Sequence, residues 1–116
     1  MNNSLTSKKC IPCEGGAAPL IAEEIEKYMP LIPQWMLEEG KLVRRFQFKD
    51  FREAIAFVNK VADLAEREGH HPNISVYGWN KVKLTCFTHA IQGLHLNDFI
   101  LAAKTDQIYL RSTLSR

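Results

Sequence analysis

The stretch from Asp50 to Gly69 constrains the fold most, because it carries signals for the start, the buried face and the end of one long helix. Glu53 follows Asp50 by three residues, a spacing typical of a capping box with Asp in place of the usual Ser or Thr. Gly69 suits the left-handed conformation that ends many helices. Apolar residues recur between them at the helical period. The predicted buried stripe consists of Phe51, Ala54, Ile55, Val58, Val61, Ala62 and Ala65.

Alternating segments on both sides of this helix predict two hairpins. Residues 42–48 alternate between apolar and polar side chains and can pair across Gly40 with the segment before it. Residues 74–77 lead through Gly78 into a second alternating segment, residues 82–87. Such period-two patterns bounded by glycine turns are typical of antiparallel strands with one buried face.

Shorter helical patterns at residues 22–29 and 97–110 complete the order α-β-β-α-β-β-α. We therefore predict a single two-layer α+β domain over residues 20–116, with a four-stranded antiparallel sheet and helices on one face. Residues 1–19 are polar and glycine-rich, which predicts a flexible or loosely docked N-terminal arm. A thin two-layer unit leaves strand edges and helix faces uncovered, so we expect a homo-oligomer.

Composition excludes several functional classes. The 116 residues suffice for one modest core, and the formal net charge of +2, spread over scattered basic residues, gives no footprint for nucleic acid. No apolar stretch approaches the roughly 20 residues that span a bilayer, and the first ten residues lack the apolar core of a signal peptide. Three cysteines, an odd number, suit a reducing compartment. We therefore expect a cytoplasmic protein.

All four histidines lie between His70 and His95, and three of them suggest a reactive site. The pair His70-His71 precedes Pro72 at the exit of the central helix, and His89 follows the last strand. If the two hairpins pack side by side, these positions meet at one rim of the sheet. Histidine suits proton transfer near neutral pH, and two or three around one pocket can supply an acid and a base together. Zinc ligation by His70, His71 and His89, or a structural role in the loop, are the alternatives.

The spacing of these residues resembles the signature of the pterin-4a-carbinolamine dehydratase family. Three residues separate Glu66 from His70-His71-Pro72, six then precede Trp79, nine precede His89 and eight precede Asp98. The resemblance covers roughly residues 18–110. It implies the fold predicted above, dimers or tetramers, and the dehydration of 4a-hydroxytetrahydropterin to quinonoid dihydropterin, which recycles the cofactor of aromatic amino acid hydroxylases. It implies no metal and no organic cofactor, because the pterin is the substrate.

The resemblance also implies roles for individual residues. His70 and His89 would transfer protons, while His71, Pro72 and Trp79 would bind the substrate. Glu66 would hold the loop that carries the histidine pair, and Asp98 would orient or charge-stabilise His89. Tyr77 could take the aromatic role in place of Trp79, because the hairpin turn uses the longer of the family's spacings. His95 stands where Ser or Thr usually caps the last helix, so a capping role is expected for it.

Two further features leave alternatives open. Cys10 and Cys13 form a C-x-x-C pair in the arm, which could dock the arm or hold a metal shared between subunits. Some members of the family that this chain resembles act as dimerisation partners of transcription factors, so a protein-binding module is a second functional hypothesis. A third is a pterin-binding role in molybdenum-cofactor metabolism without turnover.

Overall fold

A computed structural model describes residues 4–11 and 18–114, with side chains described up to Ser112. The elements follow the predicted order. They are α1 (Ala22–Tyr28), β1 (Met36–Glu38), β2 (Lys41–Gln47), α2 (Phe51–Glu68), β3 (Asn73–Tyr77), β4 (Lys81–Cys86) and α3 (Leu96–Leu114), with short 3-10 turns at Ser4–Ser7, Met29–Leu31 and His89–Ile91. The structure thus confirms the α+β class and the α-β-β-α-β-β-α order.

The four strands form one antiparallel sheet in the order β1-β2-β4-β3, so the two hairpins join through the central pair β2 and β4. Leu42 lies opposite Cys86 and Phe46 opposite Val82. All four side chains are buried, because this face packs beneath the helices. Asn73 pairs with Thr85, so β3 begins beside the end of β4. This register brings the exit of α2 and the segment after β4 to the same rim.

The ends of α2 lie where the sequence predicts them. The Asp50 side chain accepts a hydrogen bond from the Glu53 backbone N–H at 2.8 Å, and Gly69 adopts a left-handed φ of 66°. Satisfying an exposed backbone donor at the first turn typically contributes about 1 kcal/mol. Both ends are therefore set by local chemistry.

The buried face of α2 is rotated from the predicted stripe. The buried side chains are Ala54, Phe57, Val61, Leu64 and Ala65. Phe51 and Ala62, which the stripe included, are exposed. The rotation follows from aromatic packing, because the Phe57 ring centroid lies 4.8 Å from that of Phe46 on β2 and 5.0 Å from that of Phe48.

The first half of α3 is the most deeply buried helical segment of the described chain. Every residue from Asn97 to Ala103 is buried, including the large side chains of Phe99, Ile100 and Leu101. The helix contacts α2, the sheet and the 3-10 turn Ser4–Ser7, whose Leu5 is completely buried. This depth places the amino-terminal end of α3 at the rim where the histidines lie.

The described residues of the predicted arm pack against this domain, with Leu5 and Cys10 in the core cluster. Pro12 and Cys13 lie outside the described residues. Within residues 4–11 and 18–114, no helix has the length and apolar character needed to cross a membrane.

Candidate active site

One cavity of about 240 Å³ collects the predicted histidines. Its wall comes from the exit of α2, the segment that follows β4, the start of α3 and the arm. The residues that line it are Ile11, Gly69, His70, His71, Phe87, Thr88, His89, Ala90 and Asn97. The side-by-side packing of the hairpins therefore produces the predicted meeting of His70, His71 and His89.

A larger cavity of about 450 Å³ lies near the carboxyl-terminal half of α3. Its charged lining residues are Arg44 and Asp106, which pair with each other at 2.6 Å. No histidine lines it. Size alone favours this cavity, but the histidine-lined cavity concentrates the groups that exchange protons near neutral pH. We therefore take the smaller cavity as the candidate active site.

His70 is held by a buried carboxylate. Its Nε2 lies 2.7 Å from Oδ1 of Asp98, and the Asp98 side chain is completely buried. The second carboxylate oxygen accepts hydrogen bonds from the Thr88 hydroxyl at 2.7 Å and from the His95 backbone N–H at 2.9 Å. A buried carboxylate needs such donors to offset its desolvation. The ring of His70 is therefore held by a hydrogen-bond network that consists of Asp98, Thr88 and the backbone of His95.

Asp98 also completes the cap of α3. The Nδ1 atom of His95 accepts a hydrogen bond from the Asn97 backbone N–H at 3.1 Å, while Asp98 accepts from the backbone N–H of His95. These reciprocal bonds follow the logic of a capping box. A carboxylate in the first helical turn also lies favourably in the positive end of the helix dipole. The expected capping role of His95 is confirmed.

The partner of Asp98 differs from the one expected. The family resemblance implies that Asp98 supports His89, but in the structure Asp98 pairs with His70. The buried start of α3 faces the exit of α2, whereas His89 begins a 3-10 turn on the cavity rim and is exposed. The His89 ring packs edge-on against Phe87, with the ring centroids 5.1 Å apart.

Glu66 lies in the last turn of α2 and contacts the second histidine of the pair. Its Oε2 is 2.6 Å from Nε2 of His71, and both side chains are exposed. An exposed pair of this kind contributes little to stability. The contact links His71, which lines the cavity, to the last turn of α2.

Pro72 and Trp79 do not line this cavity. Pro72 directly precedes β3. Trp79 lies in the β3–β4 turn with a positive φ of 57° and is 61% exposed. The five residues of β3 separate that turn from His71 by about 16 Å at the usual strand rise. The hairpin therefore places Trp79 at the end opposite the histidines.

Within the described parts of the chain, no three His, Cys, Asp or Glu side chains are grouped closely enough to hold a metal ion. Burial, with a further contribution from Glu68, raises the pKa of the Cys10 thiol to about 12. A thiolate, rather than a thiol, is the form that ligates metals or attacks disulfides. Cys10 is thus a protonated, docked side chain in this structure.

Besides Gly69, five residues that line the cavity were not among the predicted functional residues: Ile11, Phe87, Thr88, Ala90 and Asn97. Thr88 and Asn97 are each adjacent to a predicted site residue, and that adjacency is a weak signal. Nothing in the sequence around Ile11 indicates that it reaches a cavity lined by residues 58 or more positions away.

Comparison with known proteins identifies the family of this chain. The sequence profile of the family described as "Pterin 4 alpha carbinolamine dehydratase" matches residues 18–108. A protein from Methylococcus capsulatus, provisionally named a pterin-4-alpha-carbinolamine dehydratase, is 50% identical over 107 residues, covering 90% of this chain and 93% of the relative. A protein of the same name from Chlorobaculum tepidum is 48% identical over 108 residues, covering 90% and 96%.

Solved structures show the same fold. The crystal structure described as a transcriptional coactivator/pterin dehydratase from Brucella melitensis superposes with a TM-score of 0.73 at 29% identity, covering 78% of this chain and 97% of that one. A pterin dehydratase-like protein, described as a RuBisCO assembly factor in the alpha-carboxysome, gives a TM-score of 0.53 at 28% identity, covering 64% and 84%. The profile match across most of the domain and relatives near 50% identity along almost their whole length lead to one conclusion: the chain belongs to the pterin-4a-carbinolamine dehydratase family.

Proposed function

We propose that this protein dehydrates 4a-hydroxytetrahydropterin to quinonoid dihydropterin, with His70 and His89 as the proton-transfer residues. The observation that carries the proposal is the convergence of three histidines on one cavity, one of them held by the buried carboxylate of Asp98. The names of the relatives support the same reaction class.

The reaction needs one proton delivered and one removed. Protonation of the C4a hydroxyl lets the C4a–O bond break and releases water. Loss of the N5 proton leaves its electron pair to form the C4a=N5 double bond. The acid gives up one proton and the base takes up one, so the enzyme as a whole neither gains nor loses protons. Proton exchange between the two groups then restores the starting state. Acid and base groups placed this way typically contribute about 10²–10⁴-fold to the rate.

We assign His70 as the acid and His89 as the base. The Asp98 carboxylate accepts a hydrogen bond from Nε2–H of His70, which leaves Nδ1 as the nitrogen that exchanges protons with the substrate. His89 has no carboxylate partner within the described residues, and its ring lies at the open rim. His71, oriented by Glu66, would bind the pterin at the mouth of the cavity.

The decisive experiment generates 4a-hydroxytetrahydropterin enzymatically and follows its loss of water. We expect His70→Ala and His89→Ala to lower the catalysed rate by about 10²–10⁴-fold. Lys60→Ala, an exposed change on α2, is the control and should match the unaltered protein. Turnover by both histidine variants at the unaltered rate would contradict the mechanism, and pterin binding without turnover would favour a non-catalytic pterin-binding role.

The wider role is also a proposal. We infer that the enzyme recycles the pterin cofactor of aromatic amino acid hydroxylases in the cytoplasm and works as a homodimer or homotetramer. The edge strand β3 supports self-association, because its free side exposes backbone groups beside Ile74, Val76 and Tyr77, each more than a third exposed. Sedimentation equilibrium would test it, and a monomer at micromolar concentration would contradict it.

A protein-binding role is the second candidate. Phe51 and Ala62, which are exposed, and Ile55 and Val58, which are half-buried, form an apolar strip along α2 that the described residues cover only in part. The solved relatives described as a coactivator and as an assembly factor are consistent with such a role. If Phe51→Ser abolishes self-association and leaves turnover unaltered, the strip binds a second copy of this chain. If self-association is unaltered, the strip is available to bind a different protein.

A further inference from the structure

We propose that Ile11 of the amino-terminal segment forms an apolar wall of the pterin pocket and that Asn97 is the residue that positions it. The proposal rests on the function proposed above and adds a substrate-binding residue to it. Residues 4–11 lie outside residues 18–108, the span that matches the family profile, so the profile assigns nothing to this segment.

Asn97 binds the backbone of Ile11 on both sides. Its Oδ1 accepts a hydrogen bond from the Ile11 N–H at 3.0 Å, and its Nδ2 donates to the Ile11 carbonyl at 2.6 Å. The side chain of Asn97 is buried at the start of α3. These two bonds tie both polar atoms of the Asn97 side chain to the backbone of one residue, which fixes where Ile11 lies against the cavity.

Three further contacts hold the same segment across the ends of α2 and α3. Lys9 donates to the backbone carbonyl of Arg67 at 3.1 Å. The backbone N–H of Cys10 donates to Glu68 at 2.8 Å, and Glu68 pairs with Lys104 at 2.7 Å. The Cys10 thiol donates to the Asn97 carbonyl at 3.6 Å. With Leu5 completely buried, these contacts fix the path of the chain up to the cavity.

Ile11 adds a second large apolar side chain to the lining of the cavity. A planar ligand is usually held between apolar surfaces, with a few polar groups fixing its orientation. Among the residues that line the cavity, Ile11 and Phe87 carry the large apolar side chains. Phe87 already packs edge-on against His89. Ile11 is 60% exposed, so it has apolar surface that a bound ring can cover.

The test compares Ile11→Ala with Ile21→Ala. Ile21 is 58% exposed, matches Ile11 in size, and lies away from the cavity before α1. One methylene in an apolar pocket changes discrimination by about tenfold or more. Because Ile11 is half exposed, we expect Ile11→Ala to raise both KM and the dissociation constant for 7,8-dihydrobiopterin by about three- to tenfold, with kcat within about twofold. Ile21→Ala should leave all three unchanged.

Asn97→Ala adds a second readout. If Asn97 acts through Ile11, the double variant should bind pterin no more weakly than the weaker of the two single variants, whereas independent effects would multiply. Unaltered pterin binding by Ile11→Ala overturns the inference while histidine-dependent turnover stands. Loss of turnover in Ile11→Ala with unaltered binding also overturns it. If the unaltered protein binds no pterin, the proposed function and this inference both fail.

Discussion

Nε2 of His70 lies 2.7 Å from Oδ1 of Asp98, a carboxylate with no solvent exposure. The pair joins the exit of α2 to the first turn of α3, and it fixes the ring of the residue that we assign as the acid. The same carboxylate accepts hydrogen bonds from Thr88 and from the backbone of His95. The site therefore depends on residues, Asp98 and His95 among them, that do not line the cavity.

Asp98→Asn should abolish most of the catalysis. An amide that keeps its oxygen toward Thr88 and His95 presents an N–H to His70, which imposes the wrong tautomer on the ring. We expect kcat to fall by at least about 10²-fold, with a smaller change in pterin affinity. Asp106→Asn is the matched control, because Asp106 is also on α3 and bonds Trp35 and Arg44 away from the cavity. Full activity of Asp98→Asn would contradict the assigned role of His70.

Thr88→Val should destabilise the fold and slow the reaction together. The change keeps the shape of the side chain but removes a buried donor to Asp98, which typically costs about 1–3 kcal/mol. Thr105→Val is the control, because the buried Thr105 hydroxyl has no partner among the described residues. We expect Thr105→Val to leave the free energy of unfolding unchanged or higher. Urea unfolding and initial rates measure both effects, and equal destabilisation by the two variants would contradict the prediction.

Glu68→Gln should show a stability loss that depends on pH. Burial alone would raise the pKa of Glu68, but hydrogen bonds from Lys104 and from the Cys10 backbone hold it below its usual value of 4.5. A depressed pKa means that the charged group stabilises the fold above the unfolded-state pKa, and that this contribution disappears as pH falls through the folded-state value. We expect a difference of about 1–3 kcal/mol between the two proteins at pH 7.

That difference should shrink steadily as pH falls below about 4.5. Urea unfolding from pH 7 to pH 3.5 would measure it. Glu26→Gln, an exposed change on α1, is a suitable comparison. A stability difference for Glu68→Gln that stays constant across this range would contradict the predicted role of the charge.

Phe57→Ala should cost far more stability than Phe51→Ala. Phe57 is 1% exposed and packs against Phe46 and Phe48, whereas Phe51 is 54% exposed. Removing a buried phenylalanine ring typically destabilises a core by about 3–5 kcal/mol. Calorimetric melting of both variants would measure the contrast. Equal losses would mean that the exposed side of α2 is covered in solution, as self-association there would require.

Phe51 and Phe57 show which properties of α2 could be predicted from the sequence and which could not. Asp50 and Gly69 marked the ends of α2 correctly, because capping and left-handed termination depend on the residues themselves. The predicted buried face of α2 was rotated from the observed one, because two overlapping stripes along this helix are both apolar. Only the position of Phe46 and Phe48 on the sheet selects the one that contains Phe57.

The candidate site also contains some relationships that the sequence could predict and others that it could not. The proximity of His70, His71 and His89 could be predicted from the sequence, because the order of the hairpins and the helix determines which rim of the sheet they share. The pairing of Asp98 with His70 rather than His89 could not, because it depends on the depth at which α3 packs. The contact of Ile11 with the cavity joins residues 86 positions apart through Asn97, and no local pattern encodes it.

The reciprocal cap of α3 has a consequence for how relatives of this chain should be compared. Asp98 closes the first turn of a buried helix as well as holding His70. A descendant that abandoned chemistry would still be under selection to keep an acceptor at that position, because an uncapped buried turn weakens the whole domain. Retention of the aspartate is therefore poor evidence of a working enzyme, and loss of the imidazole at position 70 is the more diagnostic change.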